Sequence, residues 1–410
     1  MTDRYRESEA LLARARQVVP GGVYGHQSPR MVVGGAYPYF FARAEGCRVW
    51  DVDGNEFIDL MCSYGPIVLG HRHPVVEAAA REQAALGDCF NAPTRLWVEL
   101  AEHLVHITPF ADWAAFAKNG SDVCTWAVAV AREHSGRRKV IKADGAYHGA
   151  HAWCTPAPAG VTPEDTANVL TFPYNDLPAL ERLVDAYASS TAAIIVSPFR
   201  HDAFHDQELP VEGFLPGVRR LCDAHGIVMI LDDVRAGFRL HLGGSGERFG
   251  VQPDLSCYAK AIANGYPLSA CVGRDPLKAA AERVYFTGSY FTSAVPMAAA
   301  LACLREIERS GAIAQMEHAG QRLQRGLEAQ AASHGVPIVY SGPPAIPFMS
   351  FRDDVKFARS RAWAAACAQG GVYLAPYHNW FLSAAHTDRD IDQVLQVTDE
   401  AFAGLRRQTA

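Results

Sequence analysis

Short apolar runs alternate with helical stretches through the middle of this chain, from about residue 95 to residue 260. The runs read WAAFAK, RKVIKA, AAIIVS, GIVMIL and DLSCYA, and helical patterns cover residues 121–134 and 213–225. This alternation is typical of a mostly parallel β-sheet with helices on its faces. We therefore predict an α/β fold for the central part of the chain.

The two ends of the chain have a different pattern. An apolar periodicity over residues 5–18 predicts a helix, and CRVWDVDGNEFIDL with its Asp-Gly turn predicts a hairpin. From about residue 305 the sequence predicts one long amphipathic helix, then short strands and a final helix. We expect residues 1–55 to contribute to a small domain, residues 56–304 to form the large domain, and residues 305–410 to complete the small α+β domain.

Composition excludes several classes of function. The 410 residues carry a net charge of −6, which gives no basic footprint for nucleic acid and no polybasic patch for a membrane. No stretch reaches the length of about 18 apolar residues that a membrane span needs, and the first residues lack the apolar core of a signal peptide. The ten cysteines form no CxxC pair, so we expect reduced thiols and a cytoplasmic protein.

Polar residues follow each apolar run at the point where the predicted strand ends. In an open parallel sheet, ligands bind outside these carboxyl ends. The groups that follow the five runs are Asn119-Gly120-Ser121-Asp122, Asp144-Gly145-Ala146-Tyr147-His148-Gly149, Ser197-Pro198-Phe199-Arg200, Asp232-Asp233 and Lys260. One crevice would then hold a cradle for an anion, an aromatic plate, a carboxylate and an amine.

Taken singly, each group has an ordinary structural explanation: a helix N-cap, a loop turn, an ion pair of Asp232 with Arg235 or Arg239, and a surface lysine. One ligand, pyridoxal 5'-phosphate (PLP), accounts for all four together. Its phosphate suits a helix N-terminus, and its ring suits an aromatic face. Its aldehyde forms a Schiff base with a lysine, and its ring nitrogen pairs with a carboxylate.

Other ligands fit the sequence less well. His201-Asp202 and His205-Asp206 form an HDAFHD stretch that offers metal ligands, but a polar loop explains it as well, and we predict no metal. A nicotinamide site needs GxGxxG after an early strand, and GGSGERFG has the wrong order. A binding protein without catalysis would not need Lys260.

The motifs resemble those of class III (fold-type I) PLP-dependent aminotransferases, and most of all the glutamate-1-semialdehyde 2,1-aminomutase branch. The matching segments are PGGV, DVDGNEFIDLMCSYGPIVLGHRHP, DDVRAGFR, PDLSCYAKAIANGYPLSACVGR, GVYLAP and LSAAHTDRDID. The resemblance implies a large domain with a mostly parallel seven-stranded sheet flanked by helices and a small α+β domain built from both termini. It also implies a homodimer with active sites at the interface.

The resemblance assigns roles to individual residues. Lys260 would form the Schiff base and shuttle a proton, and Asp232 would partner the ring nitrogen. The implied cofactor contacts are Gly120, Ser121, Tyr147, His148, Asp232, Val234 and Lys260, with Ser289 or Thr292 reaching the phosphate from the neighbouring subunit. Arg30 resembles the arginine that binds the substrate carboxylate in the aminomutase branch, and we predict further substrate contacts at Tyr64, Arg200, Tyr377, His378 and Trp380.

Three departures from the aminomutase pattern concern the substrate. Ser197-Pro198 replaces Glu-Pro, the loop after Tyr-His-Gly is shortened to AHAWCTPAPAGVTPED, and YHNWFLS lacks an acidic residue. A long lid would retain the intermediate of an intramolecular amine shift. We therefore predict an aminotransferase that moves an amino group from an amine or amino acid to a carbonyl acceptor. An aminomutase, an epimerase or racemase, and a non-catalytic PLP-binding protein remain as alternatives.

Overall fold

A computed structural model describes residues 3–409 of the chain. Its α-helices are α1 Arg6–Val18, α2 Pro74–Leu86, α3 Arg95–Ile107, α4 Gly120–Ser135, α5 Pro163–Thr166, α6 Leu177–Tyr187, α7 Phe214–His225, α8 Ser245–Arg248, α9 Lys278–Arg283, α10 Ala294–Ser310, α11 Ala312–His334, α12 Ala358–Gln369 and α13 Asp388–Thr409. Its strands are β1 Phe41–Glu45, β2 Arg48–Asp51, β3 Glu56–Asp59, β4 Trp113–Ala117, β5 Lys139–Ala143, β6 Val169–Phe172, β7 Thr191–Val196, β8 Val228–Asp232, β9 Leu255–Tyr258, β10 Ser269–Gly273, β11 Ile338–Ser341, β12 Phe348–Phe351 and β13 Val372–Tyr373.

The described residues form two compact units. The central unit comprises Pro74–Asp202 and Glu208–Ile313. The terminal unit comprises the described parts of Met1–His73 and Ala314–Ala410, together with the short segment Ala203–Gln207. These unit boundaries differ from the domain boundaries at 55/56 and 304/305 that the sequence predicts. The predicted domain boundaries remain a prediction.

The central unit contains a seven-stranded sheet in the order β4-β10-β9-β8-β7-β5-β6. Strands β6, β5, β7, β8 and β9 pair in parallel, and β10 is antiparallel to both β9 and β4. Strand β4 therefore runs in the same direction as the five parallel strands. This sheet confirms the predicted α/β fold with its mostly parallel seven-stranded sheet.

Side chains that alternate along the central strands enter two apolar layers, because successive residues of a strand point to opposite faces. On one face Ala193, Ile195 and Ile230 pack with residues of α4 such as Ala127. On the other face Ile194, Val196, Met229 and Leu231 pack with residues of α6 and α7. Burial on both faces explains why these strands read as continuous apolar runs.

The terminal unit holds two small sheets. One is four-stranded in the order β1-β2-β3-β13, where β13 from the C-terminal part pairs in parallel with β3. The other is the antiparallel pair of β11 and β12. The mixture of helices and short strands from both ends of the chain confirms the predicted small α+β part built from both termini.

The long helix predicted from about residue 305 is wrong in one respect. The structure has two helices, α10 and α11, which are separated at Gly311. Gly311 has a φ of +68° and caps the end of α10 in the left-handed conformation. Glycine takes this conformation without the steric penalty that other residues incur.

No helix within residues 3–409 is both long and apolar enough to cross a membrane.

Candidate active site

The carboxyl ends of the parallel strands of the central unit lie along one edge of its sheet. After β4 the chain enters α4 at Gly120, after β8 it continues from Asp232, and after β9 it reaches Lys260. The register pairs Asp232 of β8 with Cys257 of β9, three residues before Lys260. The sheet therefore brings the predicted anion cradle, carboxylate and lysine to the same edge.

Asp232 is held by a buried histidine. The His148 Nδ1 atom lies 2.6 Å from Asp232 Oδ2, and neither side chain is more than 7% exposed. The second carboxylate oxygen accepts a hydrogen bond from the Val234 backbone N–H at 3.2 Å. Because an ionised carboxylate only accepts hydrogen bonds, His148 donates from Nδ1. The His148 Nε2 atom is buried and has no hydrogen-bond partner within the described chain.

Asp233, the second acid after β8, has a different set of contacts. Its carboxylate accepts hydrogen bonds from the backbone N–H of Ser245 at 2.6 Å and from the Ser245 hydroxyl. The pKa of Asp233 is raised to about 7. Burial is the main cause and the charge of Asp232 adds to it, while the hydrogen bonds from Ser245 lower the pKa. Asp233 thus fastens the start of α8, whereas Asp232 is the acid that pairs with His148.

Lys260 begins the 3-10 turn Lys260–Ala263 with a positive φ of +48°. Burial and, to a smaller extent, the nearby charge of Arg235 lower the pKa of Lys260 to about 8, against the opposing effect of the charge of Asp232. A lysine in such surroundings is partly neutral near physiological pH, and only the neutral amine is a nucleophile or a base. Because the charge of Asp232 affects the pKa of Lys260, the two side chains are close enough to interact electrostatically.

Helix α4 begins at Gly120, where the preceding residue Asn119 donates its N–H to Asp122 Oδ2 at 2.8 Å. A Cβ at Gly120 would lie 2.9 Å from Val234 Cγ1, so glycine permits the helix start to approach the loop after β8. The first N–H groups of a helix have no partner within the helix and favour an anion. The start of α4 therefore offers such N–H groups beside Val234, at the place where the sequence predicts an anion cradle.

Tyr147 lies in the loop after β5, directly before His148. It is 41% exposed, and burial of the rest of the side chain raises its pKa. The next residues approach α4, where the Ala150 N–H donates to Ser121 Oγ at 2.9 Å. A partly open phenol ring beside a hydroxyl and a helix N-terminus is suited to stacking on a ring that carries a phosphate.

Lys260, Asp232, His148 and the start of α4 form a cluster that fits PLP. It contains the half-buried lysine Lys260, whose amine is partly neutral, a carboxylate whose geometry is fixed by His148, and a helix N-terminus where Gly120 permits a close approach of Val234. It also contains a buried acceptor or donor, His148 Nε2, that the described chain leaves without a partner. Lys260, Asp232 and the N-terminus of α4 would hold the aldehyde, the ring nitrogen and the phosphate. The roles of these single residues stay predictions.

Ser289 and Thr292 lie on the segment between α9 and α10. Ser289 is exposed. Thr292 lines a cavity of about 410 Å³ together with Trp126, Phe286 and other aromatic residues. No hydrogen bond in the part of the chain that the structure describes joins either residue to the start of α4. Their predicted contact with the phosphate of a neighbouring subunit stays a prediction.

Three predicted substrate residues meet in the terminal unit around His26. The hydroxyls of Tyr64 and Tyr377 both donate to the His26 carbonyl, at 3.2 Å and 2.7 Å. The rings of Tyr64 and His378 have centroids 5.0 Å apart, and His26 lies 5.4 Å and 5.5 Å from these two rings. We call these four side chains the His26 cluster. It consists of phenol and imidazole groups.

The backbone that carries Tyr64 is strained. Cys62, Ser63 and Tyr64 have φ values of +46°, +57° and +62°, a conformation that costs about 1 kcal/mol or more for each non-glycine residue. The Asp59 carboxylate accepts the N–H groups of Met61 and Cys62 at 2.8 Å and 3.0 Å. These hydrogen bonds stabilise the left-handed turn that places Tyr64 beside His26.

Trp380 and Arg30 have contacts of a different kind. The Trp380 indole stacks on Trp363 at 6.0 Å and donates to the Ala375 carbonyl at 2.8 Å. These contacts describe a packing residue and do not support a substrate contact. Arg30 is exposed, and its backbone N–H bonds to Ser28 Oγ.

Arg200, in the central unit, is bound to two carboxylates of its own chain. Its guanidinium lies 2.7 Å from Asp202 and 2.6 Å from Glu208. These pairs neutralise the charge that a substrate carboxylate would need. The same contacts engage Asp202 of the HDAFHD stretch, and Asp206 accepts from Ser350 Oγ at 2.6 Å. No three acidic, histidine or cysteine side chains within residues 3–409 are grouped as metal ligands.

Sequence reasoning missed two residues that the structure places beside predicted ones. His26 is the centre of its cluster, and its only signal was its position in the same loop as Arg30. Arg235 lies one residue beyond Val234 and affects the charge of Lys260. It was considered only as an ion-pair partner of Asp232, because the sequence does not show which way a side chain after a strand points.

Comparison with known proteins agrees with this geometry. The family model described as aminotransferase class III matches residues 32–400. An aminopentol aminotransferase of Sphingopyxis macrogoltabida is 45% identical over 400 residues, which cover 98% of this chain and 94% of the relative. A glutamate-1-semialdehyde 2,1-aminomutase of Roseiflexus castenholzii is 37% identical over 429 residues, covering 97% of this chain and 98% of the relative.

Among solved structures, the PLP internal aldimine form of the FumI protein of Sphingopyxis sp. MTA144 superposes with a TM-score of 0.97. It is 44% identical, and the match covers 98% of this chain and 97% of that chain. The family match and the fold match thus both extend over nearly the whole chain. The chain belongs to the class III aminotransferases, and PLP is its cofactor.

Proposed function

We propose that this aminotransferase takes its amino group from a primary amine that carries hydroxyl groups and no carboxylate, and passes it to a small oxo acid. The observation that carries this proposal is the chemistry of the His26 cluster. Its phenol and imidazole groups suit hydroxyls, while Arg200 is already matched by Asp202 and Glu208. The 45% identity to an aminopentol aminotransferase supports the same substrate class.

The oxo acid would need a cation for its carboxylate. Arg30 resembles the carboxylate-binding arginine of the aminomutase branch, and it is exposed in the loop that also carries His26. We assign the acceptor to Arg30 and the amine chain to Tyr64, Tyr377 and His378. This division gives the two substrates chemically different binding groups.

The chain's own groups supply the proton transfers. When bound, PLP serves as an electron sink that stabilises negative charge on the substrate carbon. Lys260, partly neutral because its pKa is about 8, accepts the proton from that carbon at Nζ and later returns it. Asp232, fixed by His148 at 2.6 Å, would keep a proton on the ring nitrogen. Gly120 and Ser121 would hold the phosphate at the start of α4.

We also propose a cytoplasmic homodimer. Tyr285 and Tyr290 are 89% and 59% exposed in the single chain and flank Ser289. Large exposed aromatic side chains in one segment are typical of an interface, and a neighbouring copy would cover them and bring Ser289 or Thr292 to its phosphate. None of the ten cysteines, which all lie within the described residues 3–409, forms a disulfide, which suits a reducing compartment.

The test mixes the PLP-loaded protein with single amines and follows conversion of the bound cofactor to its pyridoxamine form by visible absorbance. A hydroxylated alkyl amine should convert the cofactor, whereas the matching α-amino acids should do so far more slowly. Conversion by α-amino acids alone would refute the substrate class. Exchange of a substrate hydrogen with deuterated solvent without conversion would instead favour epimerisation.

Variants separate the two proposed subsites. Arg30→Met should raise KM for the oxo acid and leave the half-reaction with the amine unchanged. Tyr64→Phe keeps the ring but removes the hydroxyl, and it should raise KM for the hydroxylated amine while sparing the oxo acid. Equal effects of both variants on both substrates would contradict the division between Arg30 and the His26 cluster.

A further inference from the structure

Two hydroxyls on the first turns of α4 fasten the loop that follows His148. Ser121 and Thr125 are four residues apart and therefore lie on the same face of the helix. The Ala150 N–H donates to Ser121 Oγ at 2.9 Å. Thr125 Oγ1 lies 2.7 Å from His151 Nδ1 and accepts from Trp153 Nε1 at 3.0 Å. The loop thus has three hydrogen bonds to one helix face.

The loop approaches the helix more closely than a side chain would allow. Gly149 has a φ of +136°, and a Cβ there would lie 2.7 Å from the Cα of Ser121. Beyond the contact the loop closes on itself, because the N–H groups of Cys154 and Thr155 both donate to the His151 carbonyl at 3.0 Å. The segment from Gly149 to Thr155 is therefore one folded unit resting on α4.

The Thr125 hydroxyl can donate and accept at the same time in this arrangement. The indole N–H of Trp153 can only donate, so it occupies an acceptor site of Thr125 Oγ1. When Nδ1 of His151 carries no proton, the single hydroxyl proton of Thr125 is donated to that nitrogen. One threonine hydroxyl consequently joins two loop side chains to the helix that carries the phosphate cradle.

We propose that Thr125 is a positioning residue for the cofactor, acting through the loop that carries Tyr147 and His148. Those two residues directly precede Gly149. The hydrogen bonds of Thr125 with His151 and Trp153 therefore limit the conformational freedom of Tyr147, which we expect to stack on the cofactor ring. They also limit the freedom of the histidine that holds Asp232. Ordering this loop before PLP arrives reduces the conformational entropy that binding must otherwise overcome.

The test compares Thr125→Val, which keeps the shape but removes the hydroxyl, with Thr125→Ser, which keeps the hydroxyl. Two net hydrogen bonds correspond to a loss of roughly tenfold or more in affinity. Thr125→Val should therefore raise the Kd of the apoenzyme for PLP about tenfold, with faster hydrogen exchange of the amides of residues 147–155. Thr125→Ser should restore both values to within about threefold of wild type.

Matched variants separate positioning from general loss of stability. Thr166→Val makes the same chemical change where the hydroxyl bonds only to the Pro163 carbonyl, and it should leave the Kd for PLP unchanged. Trp153→Phe removes a single N–H and should raise the Kd about threefold to fivefold, even if Thr125→Val fails to fold. Wild-type Kd and wild-type loop exchange in both Thr125→Val and Trp153→Phe would overturn the proposal.

Discussion

The lowered pKa of Lys260 predicts how the apoenzyme captures its cofactor as pH changes. Burial and the charge of Arg235 bring this pKa to about 8, against 10.5 for an ordinary lysine. At pH 7.5 roughly a quarter of Lys260 would be neutral, whereas an ordinary lysine would be neutral in about one molecule in a thousand. Because only the neutral amine attacks the aldehyde, capture should be fast near neutral pH.

The sign and shape of the pH profile follow from the same value. Below about pH 7 the neutral fraction of Lys260 rises about tenfold per pH unit, and between pH 8 and pH 9 it rises only about twofold as it saturates. A lysine with the ordinary pKa would still rise about tenfold over that last interval. The window between pH 8 and pH 9 therefore discriminates the two cases.

The assay measures the rate of PLP capture by the apoenzyme with stopped-flow absorbance, with N-acetyl-lysine amide as the reference for the titration of PLP itself. Arg235→Gln removes a positive charge near Lys260, so it should raise the lysine pKa and shift the plateau to higher pH. Arg283→Gln, whose partner is Glu133 at the surface, is the matched control and should leave the profile unchanged. A capture rate that keeps rising tenfold between pH 8 and pH 9 in the wild type would refute the reasoning.

Two further substitutions test the central cluster. His148→Phe leaves the buried carboxylate of Asp232 without its 2.6 Å donor, so urea denaturation of the apoenzyme should show a loss of about 2 kcal/mol. PLP titration should also show weaker binding, and unchanged values in both would contradict the assigned pair. Gly149→Ala combines a φ of +136° with a 2.7 Å approach to Ser121, so it should destabilise the apoenzyme more than Gly160→Ala. Gly160 has a φ of +80° and open space around it, and equal losses of stability would refute the close-approach argument.

The two neighbouring acids after β8 show how one local pattern serves two purposes. Both Asp232 and Asp233 follow a buried strand, where an unpaired charge would be costly. Asp232 is paired with His148 and faces the cofactor cluster, while Asp233 fastens the backbone and hydroxyl of Ser245. The sequence predicts that both acids need partners, and only the fold distinguishes them.

The terminal unit provides the contrast. Tyr64, Tyr377 and His378 are predicted substrate contacts from two distant segments, and the structure brings them together around His26. Nothing in the local pattern of either segment predicts this meeting, because the residues are more than 300 positions apart. The hydrogen bonds that support the left-handed turn before Tyr64 are equally invisible in the sequence.

Local sequence is enough to locate the ends of five strands of the central sheet and the polar residues that follow them. Apolar runs such as Ile227–Leu231 are buried on both faces of the sheet, so their composition alone marks them as strands. Strands β6 and β10 were not predicted from the pattern. Strand β6 lies at the edge of the sheet and is largely half-buried or exposed, and β10 consists mainly of small residues.

The folded structure is needed to see which charges already have a partner of opposite sign. Arg200 looked available for a substrate, but Asp202 and Glu208 lie within 2.7 Å of it. Likewise the attachment of Thr125 to His151 and Trp153 depends on a loop folding back over a helix. Local composition governs which segments are buried, whereas hydrogen bonds and ion pairs between distant segments depend on distances that exist only after the chain has folded.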